Sequence, residues 1–130
     1  MDSIFDVPYD SLDVEEVLFD YDGTLAMSGK PPKAVVELLT SLQETRTVRV
    51  FSNNHLQKRS RKKYFSKLGI NYVSTYKPFG REELATKTVL VGDKFLTDGL
   101  YALRRGIPVY LIRKPWTWLY EWLITKLFSK

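Results

Sequence analysis

The sequence predicts an α/β fold, with helices on the faces of a central parallel sheet of about five strands. Three observations predict it. Short apolar runs alternate with segments of helical period, the pattern of strands joined through crossover helices. Polar residues recur directly after the strand-like runs, as Asp20 and Asp22, Ser52 and Asn53, and Asp93. In such sheets ligands bind at the carboxyl ends of the strands. A length of 130 residues with 44% hydrophobic residues suits one domain with a modest core, not two.

Each element follows in order. Val17, Leu18 and Phe19 form a short buried strand. Pro31 and Pro32 then break the chain, and Val35, Leu38, Leu39 and Leu42 recur at i, i+3, i+4 and i+7, one face of a helix. Residues 47–51 make a second strand, ended by Ser52-Asn53-Asn54. The next helix spans residues 56–68 with Tyr64, Phe65 and Leu68 inward, and Gly69 suits its C-terminal cap. Residues 72–74 are a weak third strand and residues 89–91 a fourth. Leu96, Leu100 and Leu103 mark a third helix, stopped at Gly106, and residues 109–112 form a fifth strand. Pro115 opens a last, Trp-rich helix over residues 115–130.

Composition narrows the function. The chain has no cysteine, which excludes disulfides and thiolate chemistry. No apolar run is long enough to span a bilayer, and Asp2, Asp6, Asp10 and Asp13 give the N-terminus the opposite character to a basic presequence. The expectation is an intracellular protein. A formal charge of +5 favours acidic partners.

The chemistry is concentrated in Asp20 and Asp22, one residue apart between an apolar run and Gly23. Side chains i and i+2 share a face of a strand, so both carboxylates are expected to point the same way. Two close carboxylates repel unless a cation or a shared proton relieves them, which asks for a metal with oxygen ligands, Mg²⁺. Asp20 is the candidate nucleophile for an aspartyl-phosphate, and Asp22 the candidate general acid and base. Read alone, Asp22-Gly23 is also a turn signal. Ser52 and Asn53 are candidate phosphate ligands at a helix start, and the same residues serve equally as N-caps. Lys77 is a candidate phosphate ligand in a loop. Asp93 is a candidate metal ligand, and Asp98 supports it from the first turn of a helix, where the helix dipole alone also favours an acid.

Taken together these residues resemble the haloacid dehalogenase (HAD) phosphatase superfamily. The stretch Asp20-Tyr21-Asp22-Gly23-Thr24 resembles its first motif, Ser52 its second, Lys77 its third, and Gly92-Asp93 through Asp98 its fourth. The resemblance implies a three-layer Rossmann-like fold. It also implies Mg²⁺ held by Asp20, the backbone carbonyl of Asp22, and Asp93. Ser3-Ile4-Phe5-Asp6-Val7, Ser52-Asn53-Asn54, Lys77-Pro78 and Gly92-Asp93-Lys94-Phe95-Leu96-Thr97-Asp98 are similar to the phosphatidylglycerophosphate phosphatase branch of subfamily IIIA. Gly23 departs from that branch, which usually has asparagine there. The spacings from Thr24 to Ser52 and from Ser52 to Lys77 leave no room for a cap domain, so the site is expected to be open to a large or membrane-embedded phosphoester.

Two segments suit a membrane surface. Lys58, Arg59, Arg61, Lys62, Lys63 and Lys67 crowd one helix, which reads as attraction to anionic lipid or as a solvated face. In the last helix, Trp118 and Trp122 project away from the stripe of Trp116, Leu119, Tyr120, Leu123 and Leu127. That helix suits a membrane interface, or a core helix with a dimer contact. The expected partners are a phosphorylated lipid substrate and an anionic membrane surface engaged peripherally. Nucleic acid is not expected, because no aromatic interleaving or known motif supports it. The alternatives are a phosphatase of a soluble phosphomonoester or phosphorylated macromolecule, and a catalytically silent adaptor.

Overall fold

The computed structural model describes residues 3–26 and 30–112. Its strands are β1 (Glu16–Asp20), β2 (Thr47–Ser52), β3 (Asn71–Ser74), β4 (Thr88–Gly92) and β5 (Val109–Leu111). Its α-helices are α1 (Lys33–Gln43), α2 (Lys58–Lys67) and α3 (Leu100–Arg105). The predicted helix over residues 115–130 lies outside the described residues.

All five strands pair in parallel, in the order β3-β2-β1-β4-β5. The chain moves outward from β1 through β2 to β3, then crosses back to β4 and continues the other way. Right-handed crossovers that travel in opposite directions put their helices on opposite faces. The core agrees. Val17, Phe19, Val50 and Val91 pack on one face with Val35 and Leu39 of α1 and Phe65 of α2. Leu18, Phe51 and Leu90 pack on the other with Tyr101 and Ala102 of α3. The result is a three-layer α/β sandwich. Both faces of the central strands are covered, which is why β1 and β4 are buried at every position.

The direction of the chain reverses between β1 and β4, which are neighbours. At such a switch point the loops leaving two adjacent strands part to opposite sides and open a crevice at their carboxyl ends. Asp20 ends β1 and Asp93 follows β4, so both stand at this crevice. The chain ahead of β1 adds Ile4, Val7 and Tyr9 to the first core face, and the Tyr9 hydroxyl donates to the Ile4 carbonyl at 2.7 Å. Periodicity carries no sign of this contribution.

One helical face differs from the prediction. Leu96 and Leu103 are 51% and 76% exposed, while Asp98, Tyr101 and Ala102 are buried. The segment begins as a π-type turn, Phe95–Gly99, before α3. Asp98 is drawn inward by ionic partners, and Tyr101 and Ala102, at i+3 and i+4, share its face. The leucines are therefore rotated outward. Helix α2 is also shorter than expected. It begins at Lys58, after a turn in which the Asn54 side chain accepts from the backbone N–H groups of Leu56 and Gln57.

Candidate active site

Asp20 sits at the last position of β1, where the sheet is still fully buried. Lys77 reaches it from the loop after β3, with Nζ donating to Asp20 Oδ1 at 2.6 Å. The same ammonium donates to Asp98 Oδ1 at 2.6 Å. Asp98 Oδ2 accepts from the backbone N–H groups of Asp93 and Lys94, each at 3.2 Å, and so shapes the turn out of β4. The Thr24 hydroxyl stands 3.4 Å from Asp20 Oδ2. Asp98 approaches so closely because residue 92 has no side chain. A Cβ at Gly92 would lie 2.4 Å from Asp98 Oδ2.

Asp20, Asp93 and Asp98 each bring a carboxylate oxygen to within 4.8 Å of the others, and all three residues are buried. Three buried carboxylates, two of them paired with Lys77, form an acidic set rich in oxygen donors. Hard divalent cations take clustered oxygen donors of this kind, so the donor set fits one. Asp98 already has both oxygens committed to Lys77 and to backbone N–H groups. Asp20 and Asp93 would therefore be the direct ligands of such a cation, with Asp98 behind them.

The charges shift as burial and crowding require. Burial pushes the Asp20 pKa up to about 6; Lys77 opposes the shift and Asp93 adds to it. Burial and the Asp20 charge also raise the Asp98 pKa. For Lys77 burial works against the charge, but Asp98 and Asp20 outweigh it and raise its pKa.

Asp22 belongs to a second cluster, and its carboxylate is not in the triad. The strand ends at Asp20, and Gly23 turns the chain at φ 83°. That angle lies in the left-handed region that favours glycine. The strand rule that would align Asp22 with Asp20 therefore lapses. Asp22 Oδ2 accepts the Ser52 hydroxyl at 3.0 Å, and Arg61 of α2 clamps both carboxylate oxygens at 3.0 and 3.2 Å. Partial burial works against its charge, but the hydrogen bonds from Arg61 and Ser52 prevail and hold its pKa below the ordinary value.

Arg61 corrects the reading of α2 as a uniformly solvent-facing basic helix. Lys58, Arg59, Lys62, Lys63 and Lys67 are exposed, but Arg61 is buried. Its guanidinium lies 3.9 Å from the Tyr21 ring centroid and 3.3 Å from the Tyr72 hydroxyl. In sequence it is one cation among six, and the only local signal is its i+4 spacing to inward-facing Phe65. Asn53 is placed as a brace. Its side-chain amide donates to the Lys77 carbonyl at 3.0 Å, and its side-chain oxygen accepts from the Lys77 backbone N–H at 2.8 Å. His55 lies against the same loop, with Nε2 3.1 Å from the Thr75 carbonyl oxygen and its ring stacked on Tyr76.

The structure thus brings Asp20, Lys77, Asp93 and Asp98 together at one strand edge and sets Asp22, Ser52 and Arg61 beside them. Comparisons with protein-family models, curated proteins and solved structures returned no match for this chain.

Proposed function

We propose that this protein is an Mg²⁺-dependent phosphatase acting through an aspartyl-phosphate, with phosphatidylglycerophosphate, a phosphorylated lipid, as substrate and phosphatidylglycerol as product. The observation that carries the reading is Asp20, a buried carboxylate held at 2.6 Å by Lys77 and grouped with Asp93 and Asp98 from a separate segment. Lys77 and Asp93 come from 57 and 73 positions further along the chain to meet a strand-end aspartate in a crevice. An aspartate nucleophile with a cation site needs just such a meeting. The lipid substrate rests on the motif resemblance and on the short connections around the site. Among the described residues these hold α1 and β2 after Thr24, and α2 and β3 after Ser52, with no cap.

An oxygen of Asp20 attacks phosphorus in line as the bond from phosphorus to the glycerol oxygen breaks. Two of the three Lys77 N–H donors go to Asp20 and Asp98, which leaves the third for a phosphate oxygen. Ser52 turns its hydroxyl from Asp22 to the phosphate, and Asp22, displaced, takes up a proton from solvent and delivers it to the leaving glycerol oxygen. Water then attacks the phosphorus of the aspartyl-phosphate and gives its proton to Asp22. The Asp20 oxygen–phosphorus bond breaks, and inorganic phosphate leaves. Asp20 and Asp93 would hold Mg²⁺, with Asp98 in support, and the bound ion would supply positive charge to offset the charge that grows on the phosphoryl group.

Phosphate release from phosphatidylglycerophosphate in mixed micelles, with and without Mg²⁺, tests the reading. Soluble sugar and nucleotide phosphates run alongside separate a lipid substrate from a soluble one. Asp20→Asn abolishes turnover while the protein stays folded, since the change removes a charge from a crowded acidic cluster. Substantial activity in folded Asp20→Asn protein would overturn the assignment.

A further inference from the structure

Six large apolar side chains are exposed among the described residues, and four of them stand around the crevice. Leu56, Tyr76, Phe79 and Leu96 are 98%, 70%, 74% and 51% exposed. They lie on the segments that leave β2, β3 and β4 at their carboxyl ends, the edge that carries Asp20.

These segments are tied to one another. The His55 ring stacks on Tyr76 at 4.5 Å, which joins the loop after β2 to the loop after β3. The reciprocal hydrogen bonds between Asn53 and Lys77 fasten the same two loops. Tyr76 and Phe79 close a turn, with the Phe79 N–H donating to the Tyr76 carbonyl at 2.6 Å. Arg104 of α3 donates to the Pro78 carbonyl at 2.8 Å inside that turn. The Lys77–Asp98 pair joins it to the segment that carries Leu96. The apolar side chains are thus presented outward on a braced frame, although exposure to water is unfavourable to each of them.

The exposed charge on these segments, residues 53–80 and 93–98, has one sign, since Asp93 and Asp98 are buried. Residues 53–80 contain no Asp or Glu. Helix α2 starts two residues after Leu56 and exposes Lys58, Arg59, Lys62 and Lys63. Lys94, exposed, stands two residues before Leu96. Apolar side chains interleaved with cations, on segments that expose no acid, match the interface of an anionic bilayer, which offers hydrocarbon beneath a negative surface.

We infer that this rim is a membrane-docking surface: Leu56, Tyr76, Phe79 and Leu96 enter the interface of an anionic bilayer while α2 lies against its headgroups. The crevice then opens onto the membrane plane, and a phosphomonoester headgroup reaches Asp20 without its lipid leaving the bilayer. The purpose of the docking rests on the proposed phosphatase activity; the docking itself does not.

The chain has no cysteine, so single cysteines report position directly. Leu56→Cys, Phe79→Cys and, as a control at the opposite strand ends, Thr86→Cys are labelled in the full chain with an environment-sensitive fluorophore. They are mixed with vesicles of phosphatidylcholine alone or with added phosphatidylglycerol. The expected result is a blue shift, and quenching by lipid-chain quenchers, at positions 56 and 79 on the anionic vesicles only, with none at 86. Leu56→Ser combined with Phe79→Ser weakens vesicle binding by roughly ten- to a hundredfold and leaves hydrolysis of p-nitrophenyl phosphate unchanged. No shift at 56 and 79, an equal shift at 86, or wild-type vesicle binding by the double variant would overturn the inference, the last of these pointing to a protein partner for the rim. Vesicle binding without phosphate release from any ester would sink the enzyme reading and leave the docking intact.

Discussion

Arg61 grips Asp22 through two hydrogen bonds, Nη2 to Oδ1 at 3.0 Å and Nη1 to Oδ2 at 3.2 Å, across 39 positions of sequence. The guanidinium is itself held between the Tyr21 ring and the Tyr72 hydroxyl, so it is a fixed anchor. Asp22 is therefore held as an ionised carboxylate that accepts from Ser52, and in the proposed reaction a phosphate oxygen takes its place there.

If Arg61 aims Asp22, its loss affects proton transfer more than binding. Arg61→Met is expected to lower kcat for alkyl phosphates by roughly ten- to a hundredfold, part of the range that a positioned acid supplies. Aryl phosphates, whose leaving groups need no proton, lose much less. Arg61→Lys keeps the charge but not the two-pronged grip, so it restores little. Measured kcat and KM for an alkyl and an aryl ester check this; equal losses on both would show that Arg61 acts through the fold alone.

Lys77 is as much a structural element as a ligand. Its side chain is 1% exposed between carboxylates that are 9% and 0% exposed. Removing one partner of a buried ionic network costs about 3–5 kcal/mol. Lys77→Met is therefore expected to lower unfolding stability by about that much, read from denaturant unfolding without metal. A loss below about 1 kcal/mol, the scale of an exposed ion pair, would contradict the buried pairing.

Gly92→Ala tests the close approach of Asp98. The new Cβ would stand 2.4 Å from Asp98 Oδ2 and 2.7 Å from its Cβ. Overpacking of this kind costs about 1–3 kcal/mol, and any relief moves Asp98 away from Lys77 and the Asp93 N–H. The variant is expected to unfold at lower denaturant concentration and to bind Mg²⁺ more weakly in calorimetric titration.

The Asp20 pKa, raised to about 6 from 3.8, fixes the sign of a pH effect. Without a cation the folded state holds this proton more tightly than the unfolded chain. The stabilisation from that proton is complete below the unfolded value and is lost as pH rises through about 6. A cation needs the ionised carboxylate and competes with the proton. The gain in melting temperature from added Mg²⁺ is therefore expected to grow from about pH 5 to about pH 7. A pH-independent gain across that window would remove Asp20 from the cation site.

The sequence by itself determined the alternation of strands and helices, the breaks at Pro31 and Gly106, and the placement of Asp20, Ser52 and Asp93 at strand ends. These are local properties: a period of hydrophobicity or a residue's position at the end of an apolar run is written within a few neighbours. Only the tertiary structure decided which face of a helix turns inward and what each polar side chain meets. The leucines near α3 are exposed because Asp98 turns in to Lys77, and Arg61 leaves its solvated neighbours because Asp22 waits beneath it. A charged group is buried only where a partner offsets its desolvation, and those partners lie far away in sequence, so no local pattern announces them.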